Sequence, residues 1–252
     1  MLYKVDICGL LLAGGRSRRM GGRDKCLMTL SNKPLLNHVI AAARPQVGPM
    51  VLNTNSDPSL FAEYALPVVS DVVDGYAGPL AGILTGLEWA LRHAPNCKWV
   101  ASFACDAPFV PANLVERLRQ AVYKQNADIG YAASGGRLHP VFALWPVRLA
   151  AALRDAVERE GLRKVDEWTE RYVQARVEFP VAPHDPFFNI NRLEDLGYRV
   201  VHNLPVPLVD GWLSWARDID PEGPKAIGLD ATGWPRCGFV WHQRSARVGQ
   251  PP

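Results

Sequence analysis

Leu11–Lys25 reads LLAGGRSRRMGGRDK, with four glycines, four arginines and a lysine placed directly behind an apolar run. The run itself, VDICGLLLA (5–13), is short and nearly uninterrupted by charge, which predicts a buried strand. Glycines at its end let backbone N–H groups approach a ligand with no Cβ in the way. Consecutive N–H groups in such a turn form an anion-binding concavity. Arg16, Arg18, Arg19, Arg23 and Lys25 add charge: arginine offers a planar fork to phosphate, lysine a compact point charge. Two familiar phosphate loops do not fit. A dinucleotide fingerprint needs G-x-G-x-x-G, and a Walker loop needs Gly-Lys-Ser/Thr where this chain has Asp24-Lys25-Cys26. The competing reading is a solvated basic loop with turn glycines.

Working outward, short apolar runs alternate with amphipathic helical patterns. KPLLNHVIAAARPQV (33–47), GPLAGILTGLEWALRHAP (78–95), PANLVERLRQAVYKQ (111–125) and PVRLAAALRDAVERE (146–160) read as helices, the third starting near Pro111. PSLFAEYA (58–65) reads as a short helix and NRLEDLGYRV (191–200) as a closing one. GPMVLNTN (48–55), LPVVSD (66–71), CKWVASFACD (97–106), ADIGYAAS (127–134), RLHPVFALW (137–145) and RYVQARVEFP (171–180) read as strands. The alternation predicts an α/β fold: a doubly wound, mostly parallel sheet with helices on both faces, a Rossmann-like three-layer sandwich. Ligands of such sheets sit beyond the carboxyl ends of the strands. The glycine loop, Asn53, Asp71 and Asp106 each fall where an apolar run stops, so four separate segments are expected to converge on one crevice. Residues 1–200 are expected to form this domain. Residues 201–252 are rich in Pro and Gly, lack periodicity and yet carry tryptophans, which predicts an irregular extension rather than a disordered tail.

The remaining composition narrows the classes. With 252 residues, 48% apolar and 21% charged, the chain suits one sizeable soluble domain. A net charge of +3 is too weak to argue for nucleic acid, whereas clustered basic residues suit a polyanionic small molecule. The five cysteines include no C-x-x-C and no metal-ligand spacing; four of them lie in or beside apolar runs, read as reduced core residues and imply a cytoplasmic protein. No apolar stretch approaches a membrane span, and the N-terminus runs too quickly into its glycines to read as a signal peptide.

The wording of the loop goes further. LLAGGRSRRMGGRDK resembles the L-A-G-G-x-S-x-R-M-G-x-D-K signature of the molybdenum cofactor guanylyltransferases, with one additional residue ahead of Asp24-Lys25. In order along the chain, VLNTN (51–55), VVSD (68–71) with GPLAGI (78–83), ACDAPFVP (104–111), HPVFALW (139–145) and FFNINRLEDL (187–196) are similar to further motifs of that family. The resemblance covers roughly residues 5–200. It implies a nucleotide-diphospho-sugar-transferase-like fold and transfer of GMP from GTP to molybdopterin, with Mg²⁺ as cofactor and pyrophosphate as product. It also implies contact with molybdoenzyme acceptors or other cofactor-biosynthesis proteins, and neither nucleic acid nor membrane as partner. A nucleotidyltransferase using CTP or a sugar phosphate, and a non-catalytic nucleotide-binding protein, remain as alternatives.

Carried over residue by residue, the resemblance puts nucleotide contacts at Leu12, Ala13, Gly14, Gly15, Lys25, Asn53, Asp71, Gly78, Gly82 and Asp106. Asp106 is the implied Mg²⁺ ligand, since Mg²⁺ takes oxygen donors shared with substrate phosphates; its competing role is capping the helix near Pro111. Lys25 and Arg19 are the implied charge stabilisers. Asn53 offers both donor and acceptor to a base. Asp71 is expected near ribose or metal, or as a turn residue. Gly78 and Gly82 could open a helix onto an anion or serve tight packing. Asn189 and Asn191 alternate and are implied on the molybdopterin side. His139 reads as a packed histidine rather than a catalyst.

Overall fold

Ile7–Leu12, within the apolar run ahead of the glycines, is an interior strand of a seven-stranded sheet: all six residues pair with Trp99–Ala104 on one side, Gly9–Leu12 pair with Met50–Asn53 on the other, and five of the six are buried. The computed structural model describes residues 5–14, 24–75, 78–182 and 184–190, all within one unit, Met1–Gly197. From the N-terminus the elements are β1 (Ile7–Leu12), a small ribbon of β2 (Thr29–Leu30) and β3 (Lys33–Pro34), α1 (Leu35–Ala43), β4 (Met50–Asn53), β5 (Val68–Val69), α2 (Pro79–His93), β6 (Trp99–Ala104), α3 (Leu114–Gln125), β7 (Ile129–Ser134), β8 (Arg137–Pro146), α4 (Ala150–Glu158), α5 (Val165–Thr169) and β9 (Gln174–Phe179).

The sheet order is β5-β4-β1-β6-β8-β7-β9. Pairing is parallel throughout except at β8, which runs antiparallel to both β6 and β7. Chain order leaves β1 for β4 and β5 on one side, then crosses back to β6 on the other. The reversal opens a crevice beside the end of β1. Because β8 alone is reversed, its beginning, Arg137–Val141, lies at the same end of the sheet as the ends of its parallel neighbours.

Alternation along β1 divides the core between the two faces. Ile7 and Leu11 join Leu36, Leu52, Phe103 and Leu118 on the side of α1 and α3. Cys8 and Leu10 join Leu84, Val100, Trp145, Leu153 and Trp168 on the side of α2, α4 and α5. The result is the three-layer sandwich expected from the sequence. Trp145 is fully buried, yet its indole N–H is satisfied by Ser102 Oγ at 2.8 Å, and that hydroxyl donates to the Val141 carbonyl at 2.7 Å.

The sequence reading differs from the structure at the short elements. The segment Pro58–Tyr64 is a 3-10 helix, as is Arg44–Gln46, where Pro45 removes an N–H from the continuing α1. The helix expected from about Pro111 starts at Leu114, with a turn closed by Leu114 N–H on the Pro111 carbonyl at 3.1 Å. The strand expected to run to Asn55 stops at Asn53, and that expected to run to Asp106 stops at Ala104. α5 and the β2–β3 ribbon were not expected at all: five residues and two pairs are too short for periodicity to register. The expected helix over 191–200, the boundary at residue 200 and the extension 201–252 lie outside the described residues.

Candidate nucleotide site

Leu12 is gripped from both sides. Its carbonyl accepts from the Cys105 N–H at 3.1 Å, and the next N–H, of Ala13, donates to the Asn53 carbonyl at 2.9 Å. The chain therefore leaves the sheet at Gly14 from the reversal point between β4 and β6. A cleft of about 1070 Å³ opens there, and Leu12, Ala13 and Gly14 line it together with Lys25, Asn53, Asp71, Gly78, Gly82, Asp106 and Asn189. The expected convergence of strand ends is thus present in one cleft. Gly15, Arg19 and Asn191 lie outside the described residues, as do Arg16, Arg18 and Arg23.

Asn53 is buried, with 2% of its surface exposed. Its amide nitrogen donates to Asp71 Oδ1 at 2.9 Å and to the Val69 carbonyl at 3.3 Å. Both neighbours are acceptors, so the nitrogen must face them and both of its protons are committed. The expectation that Asn53 offers donor and acceptor to a base is corrected on this point: what remains is the carbonyl oxygen. Asp71 is likewise occupied. Its second oxygen accepts from the Asn55 amide at 2.8 Å, and its own N–H donates to Asn55 Oδ1 at 2.9 Å. Asp71 thus ties the two asparagines together, a role the sequence reading of Asp71 did not include.

Gly82, in the first turn of α2, has no room for a side chain. A Cβ there would lie 2.5 Å from Asn53 Oδ1 and 2.7 Å from Leu12 Cδ2. Gly82 thus packs tightly against Asn53 and Leu12 while it lines the cleft. At Gly78 a Cβ would meet only the Arg163 carbonyl at 3.6 Å, an ordinary contact. Pro79 follows at the first helical position, where a missing N–H costs nothing. Thr85, one turn further on, accepts from the Val72 N–H at 3.0 Å and fixes the loop after Asp71 to α2.

Across the cleft, Lys25 Nζ lies 3.5 Å from Asp106 Oδ2, and each side chain keeps about a quarter of its surface exposed (26% and 23%). Burial pushes the Asp106 carboxyl above the usual carboxylate range, and the Lys25 ammonium pulls it only part of the way back. Unit charges about 4 Å apart attract by roughly 4 kcal/mol at an effective dielectric near 20, before desolvation; desolvation wins here. Asp106 does not cap α3, which starts eight residues later. A partly buried carboxylate whose neighbouring cation leaves it above its ordinary range favours further positive charge. Among the described residues no group of three or more His, Cys, Asp or Glu could hold a metal by itself. The Asp106 carboxylate fits a hard divalent ion that takes most of its oxygens from phosphates and water.

Asp24, at the far end of the glycine-arginine loop, accepts from Ser56 Oγ at 2.7 Å. This contact joins the loop to the segment after β4, and sequence reasoning missed it because 32 positions separate the partners. Also missed is the course of 184–190. The segment follows β9 at the sheet's edge and has no regular structure, yet it returns across the ligand end strand by strand. Asp185 Oδ1 accepts from Ser134 Oγ, at the end of β7, at 2.8 Å. Phe187 packs against Phe142 of β8 and Phe179 of β9, with ring centroids 4.9 and 5.3 Å apart. Ile190 N–H donates to the Asp106 carbonyl at 2.8 Å. Phe187 is 2% exposed, and burying such a ring is worth about 1.5–3 kcal/mol, which anchors a segment without ladder hydrogen bonds. Asn189 is thereby carried into the cleft beside Asp106. His139, expected to be packed, is half-buried with its ring centroid 4.8 Å from that of Phe187 and its Nε2 2.7 Å from Ser134 Oγ.

Sheet order, reversal point and cleft together define a nucleotide-binding α/β protein. The MobA-like NTP transferase domain matches residues 9–175. The chain belongs to that family and is a nucleotidyltransferase. A molybdenum cofactor guanylyltransferase of a Bradyrhizobium species is 53% identical over 188 residues, which is 75% of this chain and 89% of the relative. Among solved structures, molybdopterin-guanine dinucleotide biosynthesis protein A of Archaeoglobus fulgidus is 26% identical with a TM-score of 0.58, over 76% of this chain and 95% of that one. The 4-diphosphocytidyl-2C-methyl-D-erythritol synthase of Anaerococcus prevotii shares the fold at 11% identity, with a TM-score of 0.60 over 76% of this chain and 93% of that one.

Proposed function

We propose that this chain transfers GMP from GTP to molybdopterin, a reading supported by the name of its Bradyrhizobium relative, molybdenum cofactor guanylyltransferase. The observation that carries the reading to particular residues is the meeting of Gly14, Lys25, Asn53 and Asp106, from three strand ends and one loop, around a single cleft. The terminal phosphate oxygen of molybdopterin forms a bond to the α-phosphorus of GTP. The bond from that phosphorus to the bridging oxygen breaks, and the electron pair leaves with pyrophosphate. No protein nucleophile is required; positioning and charge neutralisation carry the reaction.

Each described residue has a part in that division. The Lys25 ammonium binds phosphate oxygens and offsets the charge that develops on the departing pyrophosphate. Asn53 presents its carbonyl oxygen toward the base, and guanine carries N–H donors at N1 and N2. Asp71 holds that oxygen in place. Gly14 and Gly82 keep the wall free of side chains. Asp106 would hold Mg²⁺, which supplies Lewis-acid polarisation of the phosphate when bound, and Asn189 beside it lies on the molybdopterin side. Arg19, Gly15 and Asn191 keep the roles that the family resemblance implies. Buried free thiols at Cys8, Cys26, Cys97 and Cys105 support a cytoplasmic setting, and among the described residues no helix is long and apolar enough to cross a membrane.

Turnover of GTP with molybdopterin and Mg²⁺, followed as pyrophosphate release, tests the reaction; CTP in its place tests the base. GTP alone is expected to support turnover in the native chain. Asn53→Ala is expected to raise the KM for GTP about tenfold, the scale of losing one hydrogen bond of about 1–1.5 kcal/mol. Equal turnover with CTP would overturn the base assignment.

A further inference from the structure

The segment 184–190 is held by a chain of hydrogen bonds whose direction follows from proton counting. Asp185 Oδ1 accepts twice, from Ser134 Oγ at 2.8 Å and from the Phe187 N–H at 3.0 Å. A serine hydroxyl has one proton. Since that proton goes to Asp185, the oxygen can only accept from His139 Nε2, which must therefore carry a proton. His139 donates, Ser134 relays, and Asp185 receives.

The three residues come from different places: Ser134 ends β7, His139 begins β8, and Asp185 lies on the returning segment. Pairing of Ala132 with His139 across β7 and β8 fixes the first two against each other. The aromatic nest of Phe142, Phe179 and Phe187 buries the middle of the segment, and its end is tied by the Ile190 N–H to the backbone of Asp106. His184 packs edge-on against Phe109, with centroids 4.9 Å apart, at the segment's start. Every tie lies on the β6-β8-β7-β9 side of the cleft, away from Asn53 and Asp71 on β4 and the loop after β5.

We infer that Ser134, His139 and Asp185 form a clasp that positions Asn189 beside Asp106 and thereby shapes the half of the cleft that receives the acceptor of the nucleotidyl group. The three are positioning residues: none needs to touch substrate, and His139 serves as a fixed donor rather than as an acid or base. The acceptor-side assignment rests on the transfer reaction proposed above; the clasp itself does not.

Three variants test it in the full-length chain: Ser134→Ala, His139→Phe and His139→Gln. Phenylalanine keeps a ring against Phe187 but loses the donor. Glutamine places an amide nitrogen close to where Nε2 stood. Hydrogen exchange at the Phe187 and Ile190 amides reads the clasp, calorimetric binding of GTP with Mg²⁺ reads the nucleotide half, and KM for molybdopterin at saturating GTP reads the acceptor half. Ser134→Ala and His139→Phe are expected to exchange these two amides at least tenfold faster and to raise the molybdopterin KM about tenfold, with GTP affinity within twofold of the native chain. His139→Gln is expected to restore both readouts to within about threefold. Unchanged exchange in the first two variants overturns the clasp, as does a His139→Gln variant no better than His139→Phe. Faster exchange with GTP and molybdopterin weakened alike, or with neither affected, overturns its acceptor-side role. A native chain that protects both amides but does not turn over molybdopterin overturns the proposed reaction and, with it, only the acceptor assignment.

Discussion

The two halves of the sheet furnish the cleft by different means. In the half β5-β4-β1, functional groups sit directly at strand ends or in the loop that follows, as Gly14, Asn53 and Asp71 do, and parallel pairing alone brings them together. In the half β6-β8-β7-β9, only Asp106 follows a strand in that way. The reversed strand β8 interrupts the pattern, and the chain answers with an irregular segment that crosses back from the edge and is pinned at each step. A parallel sheet gathers residues at one end as a consequence of its topology; a mixed one needs a separate tie for each.

The contrast predicts that lesions on the two sides fail differently. The largest effect is expected where the halves meet. Asp106→Ala removes the carboxylate that faces Lys25 and would hold the divalent ion, and turnover should fall by about 10³-fold or more, the scale of losing a charge-stabilising group in a water-poor site. Circular dichroism should stay native, because Asp106 reaches the fold through its backbone carbonyl, which accepts from Ile190, and alanine keeps that carbonyl. Pyrophosphate release that continues unchanged would remove Asp106 from the reaction and leave a nucleotide-binding protein as the better description.

An intermediate effect is expected at Gly82, on the strand-end side. Alanine in a helix gains about 0.5–1 kcal/mol over glycine from propensity, while overpacking costs about 1–3 kcal/mol. Here the added Cβ would meet Asn53 Oδ1 at 2.5 Å. Asn53 cannot swing away cheaply, since its nitrogen is held by Asp71 and Val69. The steric cost wins, so Gly82→Ala should melt lower and bind GTP about tenfold more weakly, measured by calorimetry. A variant that melts higher with native affinity would show that the wall yields and that Asn53 is not rigidly placed.

Much of this was legible in the sequence, and the boundary is physical. β1, β4, β6, β7, β8 and β9 announce themselves as apolar runs bounded by polar residues, and α1 to α4 by their periodicity. The strand-end residues could be picked out because ligand-binding positions in such sheets follow from topology. What could not be read is which atoms those residues have free. Asn53 looks fully available until Asp71, 18 positions on, takes one of its protons. Ser56 and Asp24, or Ser134 and Asp185, are separated by 32 and 51 positions with no periodicity linking them. His139 read as packed, and it is; its hydrogen bond to Ser134 depends on a hairpin register that composition does not encode.

The smallest effect is expected on the pinned side, from the titration of His139. Burial holds its imidazole below the ordinary histidine range; Asp185 and Glu178 oppose this, and Arg137 reinforces it. Below about pH 6.5, the ordinary value, the unfolded chain therefore binds more protons at this position than the folded one. Stability contributed here is present above that value and is lost as the pH falls through it. The ring is half-buried and solvent screens part of the effect, so the change is modest. Glutamine at 139 keeps the donor to Ser134 but cannot titrate. Between about pH 7.5 and 5.5 the melting temperature of His139→Gln should fall by about 1–2 °C less than that of the native chain, within what a fraction of a kcal/mol produces in a protein of this size. Asp106 and the groups of the strand-end side are the same in both proteins and cancel in the comparison. Identical pH dependence would mean that His139 titrates alike in both states, and a steeper fall for the glutamine variant would mean that the folded protein prefers it charged.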